Sequence, residues 1–312
     1  MNTATRLGLY TAGLALAFGA AFTVAGAAIP KTAVAERMAT AAQAHGGHGS
    51  MGDMGDAAVP HGVTLAAGGY QLGPVHAPAE VGSAGSLSFA IDDAAGHPLR
   101  DYTTSHDKDL HLIVVRTDGS EFRHVHPQLT ADGTWTIPWT WKEAGSYRVF
   151  ADFVPGGGAG SVTLTRTVDV AGPVTLATAP TEARTAHVDG FDATIAGDLR
   201  DGASSELAVS VAKDGAPVTT LQPYLGAFGH LVVLRDGDLA YLHVHPEGAD
   251  PQPGQLGGGT VRFAAEAPSS GRYLLYFDFQ VDGVVHTAAF VLPAEGASAP
   301  QAAPTQGESH GH

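Results

Sequence analysis

Short runs of apolar residues, separated by clusters of Gly, Pro and Asp, fill the chain from about residue 61 to residue 293. Examples in the first half are SLSFAI, LHLIVV and SYRVFADF, and in the second half ELAVSVA, HLVVLR and YLLYFDF. No long stretch with a 3.6-residue apolar period interrupts them. Short β-rich runs with turn signals between them are typical of sandwiches and barrels, so the sequence predicts an all-β protein.

The two halves of this region repeat one another. The segment LHLIVVRTDGSEFRHVHP matches GHLVVLRDGDLAYLHVHP, and GSYRVFADF matches GRYLLYFDF. His111 precedes His124 by 13 residues, and His230 precedes His243 by the same 13. The chain is also long enough for two cores. We therefore predict two tandem β-sandwich domains, at residues 61–172 and 173–293.

The N-terminal segment is apolar. The 23 residues from Leu7 to Ile29 carry no charge, which at about 1.5 Å per helical residue is enough to span a bilayer. Small residues near Ala27 and Ala35 also offer cleavage sites, so residues 1–30 are a retained anchor or a signal peptide. The flanking charges Arg6, Lys31 and Arg37 do not settle the orientation of an anchor. Because nothing else in the chain looks cytoplasmic, we expect the rest of the protein outside the cytoplasm, as a single-pass membrane protein or a secreted one.

The segments flanking the two domains are poor in bulky apolar residues. Residues 31–60 read as a flexible Gly-rich tether and residues 294–312 as a disordered His-containing tail. Both are solubilising linkers, or they capture metal weakly. The candidate ligands of the tether are His45, His48, Met51 and Met54.

Composition narrows the function classes. The 16 Lys and Arg against 31 Asp and Glu give a net charge of −15, which repels nucleic acid. There is no cysteine, so disulfides, thiolate zinc sites and blue-copper centres are excluded. The 16 histidines are the main chemical signal, and any metal site must use nitrogen and oxygen ligands, with Met sulfur as the soft option.

The repeated His-x-His motif predicts metal ligands. Residues two apart in a strand share a face, so each motif sets two imidazoles side by side. The Asp-Gly pairs at 118–119 and 236–237 predict tight hairpin turns, which place His111 opposite His126 and His230 opposite His243, in registers that differ by one step. Each hairpin then offers three imidazoles at its open end. The predicted sites are His111, His124 and His126 in the first repeat and His230, His243 and His245 in the second.

Four further residues are candidates for these sites. Asp152 and Asp278 interrupt apolar strands at equivalent positions, either as ligands or acceptors for an imidazole N–H, or as solvent-facing residues of an edge strand. His106 and His286 have no counterpart in the other repeat. They are possible extra ligands or ordinary histidines.

The paired segments DLHLIVVR, FRHVHP and YRVFADF, with their second-half copies, resemble secreted or membrane-anchored actinobacterial proteins. The resemblance covers roughly residues 60–293 and implies immunoglobulin-like or cupredoxin-like sandwiches and a role in handling heavy metals, especially copper. A cupredoxin electron-transfer site is excluded, because the chain lacks the Cys ligand.

Three function classes follow. The first is an extracytoplasmic protein that binds, buffers or delivers copper, with zinc as the alternative ion and a metal-donor or acceptor protein as a possible partner. The second is an adhesion or partner-binding module whose histidines are structural. The third is a metalloenzyme with three His ligands and an open coordination position, although the sequence shows no other catalytic constellation.

Overall fold

A computed structural model describes residues 62–157, 160–175, 177–178, 181–242, 244–252 and 254–296 of the chain. Every regular element in this part is a β-strand. None of these residues forms a helix able to cross a bilayer, and the apolar segment Leu7–Ile29 lies outside the described residues.

The first sandwich has two antiparallel sheets. The outer one has the order β1-β2-β3-β8-β7, and the inner one the order β10-β9-β5-β6, with β4 paired to β9. The strands are β1 (Ala66–Ala67), β2 (Tyr70–Leu72), β3 (Gly85–Asp92), β4 (Tyr102–Thr103), β5 (Leu110–Arg116), β6 (Arg123–Val125), β7 (Gln128–Leu129), β8 (Thr134–Trp139), β9 (Gly145–Pro155) and β10 (Val162–Val170).

The second sandwich repeats this plan. Its outer sheet has the order β11-β12-β14-β19-β18, with β15 paired to β14, and its inner sheet the order β13-β21-β20-β16-β17. The strands are β11 (Thr185–Val188), β12 (Phe191–Ala196), β13 (Leu199–Arg200), β14 (Ser204–Lys213), β15 (Ala216–Pro217), β16 (His230–Arg235), β17 (Tyr241–Leu242), β18 (Val244–Pro246), β19 (Thr260–Glu266), β20 (Gly271–Val281) and β21 (Val284–Glu295).

Each sandwich closes over its own core. In the first, Leu87 and Phe89 of the outer sheet face Leu112 and Val149 of the inner sheet, and all four are fully or almost fully buried. Outer strands such as β14 alternate buried and exposed residues, because one face meets the core and the other meets water. This arrangement confirms the predicted all-β fold of two tandem sandwiches.

A third core lies between the sandwiches, where the inner sheet of one packs on the inner sheet of the other. This inter-sandwich core joins residues of β5 and β9 to residues of β16, β17 and β20. Its buried members are Ile113, Val115, Phe150, Val232, Leu234, Leu239, Tyr241, Leu274 and Tyr276. The central inner strands are therefore buried on both faces, which explains the nearly unbroken apolar sequences of β5 and β16.

Contacts at the edge of the inter-sandwich core fix its alignment. The rings of Phe122 and Tyr276 stack with centroids 3.9 Å apart and planes 3° from parallel. The Tyr276 hydroxyl donates a hydrogen bond of 2.5 Å to the carbonyl of Gly119. The described parts of both sandwiches lie within one compact unit, residues 56–312.

The two central hairpins share one register, which corrects part of the sequence interpretation. Ile113 pairs with His124, so position 126 lies opposite His111 as predicted. In the second repeat Val233 pairs with Leu242, two residues away from the predicted register. The predicted tight turn at 236–237 is wrong, because the loop extends to Leu239, which has a φ of 56° and donates its N–H to the Arg235 carbonyl.

Substitution of Gly119 tests how tightly the inter-sandwich core is packed. It has a φ of +83°, and a Cβ there would lie 2.6 Å from Leu274 Cδ1. Gly237, in the matching loop, has a φ of +105° and no atom within 4 Å of such a Cβ. Both Gly→Ala changes introduce backbone strain, but only Gly119→Ala also overpacks the core, so we expect it to lower the free energy of unfolding by about 1–3 kcal/mol more than Gly237→Ala.

Chemical denaturation of the two variants measures this difference. Equal losses would show that a Cβ at position 119 does not overpack the core against Leu274.

Candidate metal centre

Four histidines and one aspartate project into the layer between the sandwiches. His111 lies on β5, His124 on β6 and His126 just after it, while His230 lies on β16 and Asp278 on β20. Since residues two apart in a strand share a face, His111 points the same way as Ile113, His230 as Val232 and Asp278 as Tyr276. The neighbours Ile113, Val232 and Tyr276 belong to the inter-sandwich core.

Two imidazole nitrogens of the first sandwich approach a third. His111 Nδ1 lies 3.1 Å from His124 Nε2 and 3.3 Å from His126 Nε2. A tetrahedral ion with metal–nitrogen distances of 2.0–2.1 Å separates its ligand atoms by about 3.3–3.4 Å. The observed nitrogen separations are therefore close to those of metal ligands.

Acceptors on the far side of two rings fix their tautomers. His111 Nε2 lies 3.1 Å from the Ser105 carbonyl oxygen, and His124 Nδ1 lies 2.9 Å from Asp278 Oδ2. Both partners only accept, so these two nitrogens carry the protons and leave lone pairs on His111 Nδ1 and His124 Nε2. Lone pairs that face each other at 3.1 Å repel unless a cation or a shared proton lies between them.

Asp278 links the two sandwiches at this point. Its side chain is 2% exposed and that of His124 is 0% exposed. The hydroxyl of Thr287 donates a 2.6 Å hydrogen bond to the other carboxylate oxygen, so both oxygens of Asp278 are engaged. The interpretation of Asp278 as a solvent-facing residue of an edge strand is wrong, because β20 lies between β16 and β21.

Asp152 holds the equivalent place in the first sandwich. It lies opposite His111 in the β5–β9 ladder, as Asp278 lies opposite His230 in the β16–β20 ladder. The hydroxyl of Thr163, its neighbour on β10, donates a 2.8 Å hydrogen bond to it, as Thr287 does to Asp278. β9 is likewise an internal strand of its sheet, so Asp152 is not on an edge strand.

His230 and His106 complete the cluster of rings. The ring of His230 lies 5.5 Å from that of His111 with planes 7° from parallel, and 5.0 Å from that of His124. One ligand atom from each of His111, His124 and His230 can be chosen so that all lie within 4.8 Å of one another. His106 contacts His230 edge-on at 5.5 Å.

His106 lies on a strained tight turn. His106 and Asp107 have φ values of 50° and 62°, and the turn is closed by reciprocal hydrogen bonds between Ser105 and Lys108. Residues with side chains rarely adopt this left-handed conformation, so the turn is held by its surroundings. It also presents the Ser105 carbonyl to His111.

Burial favours the neutral form of three of these histidines, His111, His126 and His230. Loss of solvent, followed by repulsion from His124, lowers the pKa of His111 to about 3. The same two causes, with His111 as a further neighbour, lower the pKa of His126 to about 2. Burial and the surrounding histidines also hold the pKa of His230 well below its usual range. Neutral imidazoles are the form that binds metal ions.

The structure replaces two predicted triads by one shared cluster among the described residues. His245 is exposed on β18, which pairs with β19 of the outer sheet, so it is carried away from His230. His286 is also separate, because it packs on Phe191 and Phe279 and its Nδ1 lies 2.8 Å from Asp189. The predicted ligands that fall outside the described residues are His243, His45, His48, Met51 and Met54.

Three residues of the site were not predicted. They are Ser105, whose carbonyl fixes the His111 tautomer, Thr287, which holds Asp278, and Tyr224, whose ring lies 6.4 Å from that of His126. Burial raises the pKa of the Tyr224 hydroxyl to about 12. Strand register pairs each Asp with its Thr, so these pairs had a signal in the sequence. The Ser105 carbonyl is a backbone group that acts through its geometry, and it had no signal in the sequence.

The lowered pKa values predict a pH-dependent stability. Between about pH 6.5 and pH 3 the unfolded chain protonates these imidazoles while folded His111 and His126 stay neutral, so acid favours unfolding and stability rises with pH across this window. We expect His111→Asn and His126→Asn to flatten this dependence, because each removes one such proton-binding site from the unfolded chain.

Free energies of unfolding at pH 7, 5.5 and 4.5, with a chelator present, test this expectation. The exposed His97 provides the control variant His97→Asn. If the slopes of the two cluster variants matched that of the wild type, the two imidazoles would not be neutral in the folded protein.

Comparison with known proteins identifies a family. The family described as "Domain of unknown function (DUF8832)" matches residues 66–171 and again residues 186–296. No curated protein matches the chain.

Solved structures share a likeness at low identity. Domains 4 and 5 of the S-layer protein SbsC are 14% identical, with 69% of this chain and 83% of that chain covered and a TM-score of 0.21. Invasin, a bacterial integrin-binding protein, is 14% identical over 74% of this chain and 40% of its own, with a TM-score of 0.22. A putative membrane-anchored protein from Corynebacterium diphtheriae is 9% identical over 75% and 60%, with a TM-score of 0.22. On the two family matches, this chain belongs to the DUF8832 family and carries two copies of its domain.

Proposed function

We propose that this protein binds a transition-metal ion outside the cytoplasm, at the histidine cluster between its two sandwiches. The observation that carries the proposal is the position of His124 Nε2 and His126 Nε2, which lie 3.1 and 3.3 Å from His111 Nδ1. The tautomers of His111 and His124 are fixed by their other hydrogen bonds. Hydrophobic packing alone does not require buried lone pairs to face one another, whereas a metal ion does.

Copper is the ion that this ligand set favours, and zinc is the alternative. All the converging atoms are imidazole nitrogens, and for such ligands the affinity of divalent first-row ions peaks at Cu(II), with Zn(II) below it. The tether adds Met51 and Met54, whose thioethers suit Cu(I), and this pairing supports a role in buffering or delivery. A metal-donor or acceptor protein is the corresponding partner.

The location follows from the sequence before the sandwiches. A cleaved signal at Leu7–Ile29, or a retained anchor with the sandwiches on its outer side, supports a position of the histidine cluster outside the cytoplasm. The absence of cysteine is consistent with a site built from imidazoles instead of thiolates.

Removal of two ligands tests the metal site in the full chain. We expect wild-type protein to bind about one more Cu(II) or Zn(II) ion per chain than the double variant His111→Ala, His124→Ala, because that variant removes two of the proposed ligands and leaves only His126 from the first sandwich. Equilibrium dialysis followed by metal analysis measures the difference. Binding by the His-containing tether and tail is the same in both proteins and cancels.

A matched control uses histidines outside the cluster. The double variant His97→Ala, His187→Ala also removes two imidazoles, both exposed and each near a carboxylate. It should bind as many ions as the wild type. An identical stoichiometry in all three proteins would assign metal binding to the terminal segments and favour the adhesion alternative for the sandwiches.

Asp278 provides a second test. Asp278→Asn removes the charged acceptor that orients His124, so we expect metal affinity to fall about 10- to 100-fold while the stoichiometry is unchanged. Competition titration with a chelator of known affinity measures the change. Asp192→Asn is the control, because Asp192 lies 2.9 Å from Nδ1 of the exposed His187. Equal affinities of Asp278→Asn and wild type would mean that Asp278 does not position a ligand.

A further inference from the structure

We propose that the second sandwich supplies the fourth metal ligand through His230, so that the ion has a closed shell of four imidazoles and bridges the two sandwiches. This inference rests on the metal site proposed above. It differs from a site built on the first sandwich alone, which would leave one coordination position open to water.

The first observation is the state of His230. Its Nδ1 is buried and has no hydrogen-bond partner among the described residues. Such atoms are rare, because burial without a partner costs about 1–3 kcal/mol. Within a site whose other imidazoles converge, a metal ion supplies the missing partner.

The second observation is distance. One ligand atom on each of His111, His124 and His230 lies within 4.8 Å of the others, whereas ligands of one tetrahedral ion are about 3.3–3.4 Å apart. For these three residues the largest remaining gap is therefore about 1.5 Å, a distance that side-chain rotations can close. His111 and His124 already belong to the triad with His126, so His230 is the ligand that the described part of the second sandwich adds.

The third observation is that the site does not exist in either sandwich alone. His124 and Asp278 come from different sandwiches, and their contact fixes the lone pair of His124. The inter-sandwich core holds β5 against β16, which brings His111 beside His230. An ion with ligands on both sides is enclosed by both inner sheets and is released only when a ligand or the packing of the sheets moves.

A closed shell has a chemical consequence. With four imidazoles bound, the ion has no vacant position for a water molecule or a small anion, so the site retains or transfers an ion instead of activating a substrate. This separates the binding function from the metalloenzyme alternative.

Counting the ligands tests the inference directly. Full-length protein is loaded with one equivalent of Zn(II) and, separately, of Cu(II), after the ions held by the terminal segments have been removed with a weak chelator. X-ray absorption then measures the number of imidazoles around the ion. We expect four imidazoles in the wild type and three, with one oxygen ligand, in His230→Gln. Affinity in His230→Gln should fall about 10- to 100-fold.

Azide provides an independent readout with Cu(II). It should bind the copper of His230→Gln, which has an open position, and produce a charge-transfer band. It should leave wild-type protein unchanged. His245→Gln is the matched control, because His245 is an exposed histidine of the second repeat and lies in the outer sheet. It should behave as the wild type in both measurements.

The results separate this inference from the proposed function. Three imidazoles in the wild type, together with azide binding equal to that of His230→Gln, would overturn the fourth-ligand assignment and leave the metal site of the first sandwich intact. No retained ion in the wild type would overturn both. The wild-type ligand count does not depend on whether the His230 variant folds.

Discussion

The apolar contact between the two inner sheets is the interaction on which the rest of the structure depends. It buries Ile113 and Phe150 from the first sandwich against Leu234 and Tyr276 from the second. Polar side chains within such a layer lose their water, so each one present must find a partner inside it. The histidine cluster lies in this layer, and its geometry, its neutrality and its lone pairs all follow from that position.

Burial of so many imidazoles is costly in free energy unless they bind a common ion. His111 is 4% exposed and Asp278 is 2% exposed, and β5 and β20 are internal strands of their sheets. Asp278 places a carboxylate between His124 Nδ1 and the Thr287 hydroxyl, which engage its two oxygens. Hydrogen bonds account for His111 Nε2 and His124 Nδ1. His111 Nδ1 and His124 Nε2, which face one another, remain available to a cation or a proton.

Local patterns predicted the fold and half of the site. The two-residue period of a strand put His124 and His126 on one face, and the register of the first hairpin added His111, because these relations depend only on neighbouring residues. The second hairpin was misread, since an Asp-Gly pair does not exclude a longer loop and Leu239 adopts a left-handed conformation. The joining of His230 to the first triad depends on the packing of two sheets that are distant in sequence. The one signal in the sequence for this packing of the two sheets was the unbroken apolar run of β5, which indicates a strand buried on both faces.

The turn that carries His106 shows what fusion of the two repeats permits. The second sandwich has the same turn at Tyr224–Ala227, but there Leu225 and Gly226 occupy the left-handed positions, with φ values of 57° and 76°. Equivalent histidines, His111 and His230, stack on each other, as the matching residues of a symmetric homodimer do at its two-fold axis. In a homodimer every substitution beside that axis appears twice. In one covalent chain it appears once, so the two turns can evolve independently, and an imidazole can occupy the position in one turn that a leucine occupies in the other.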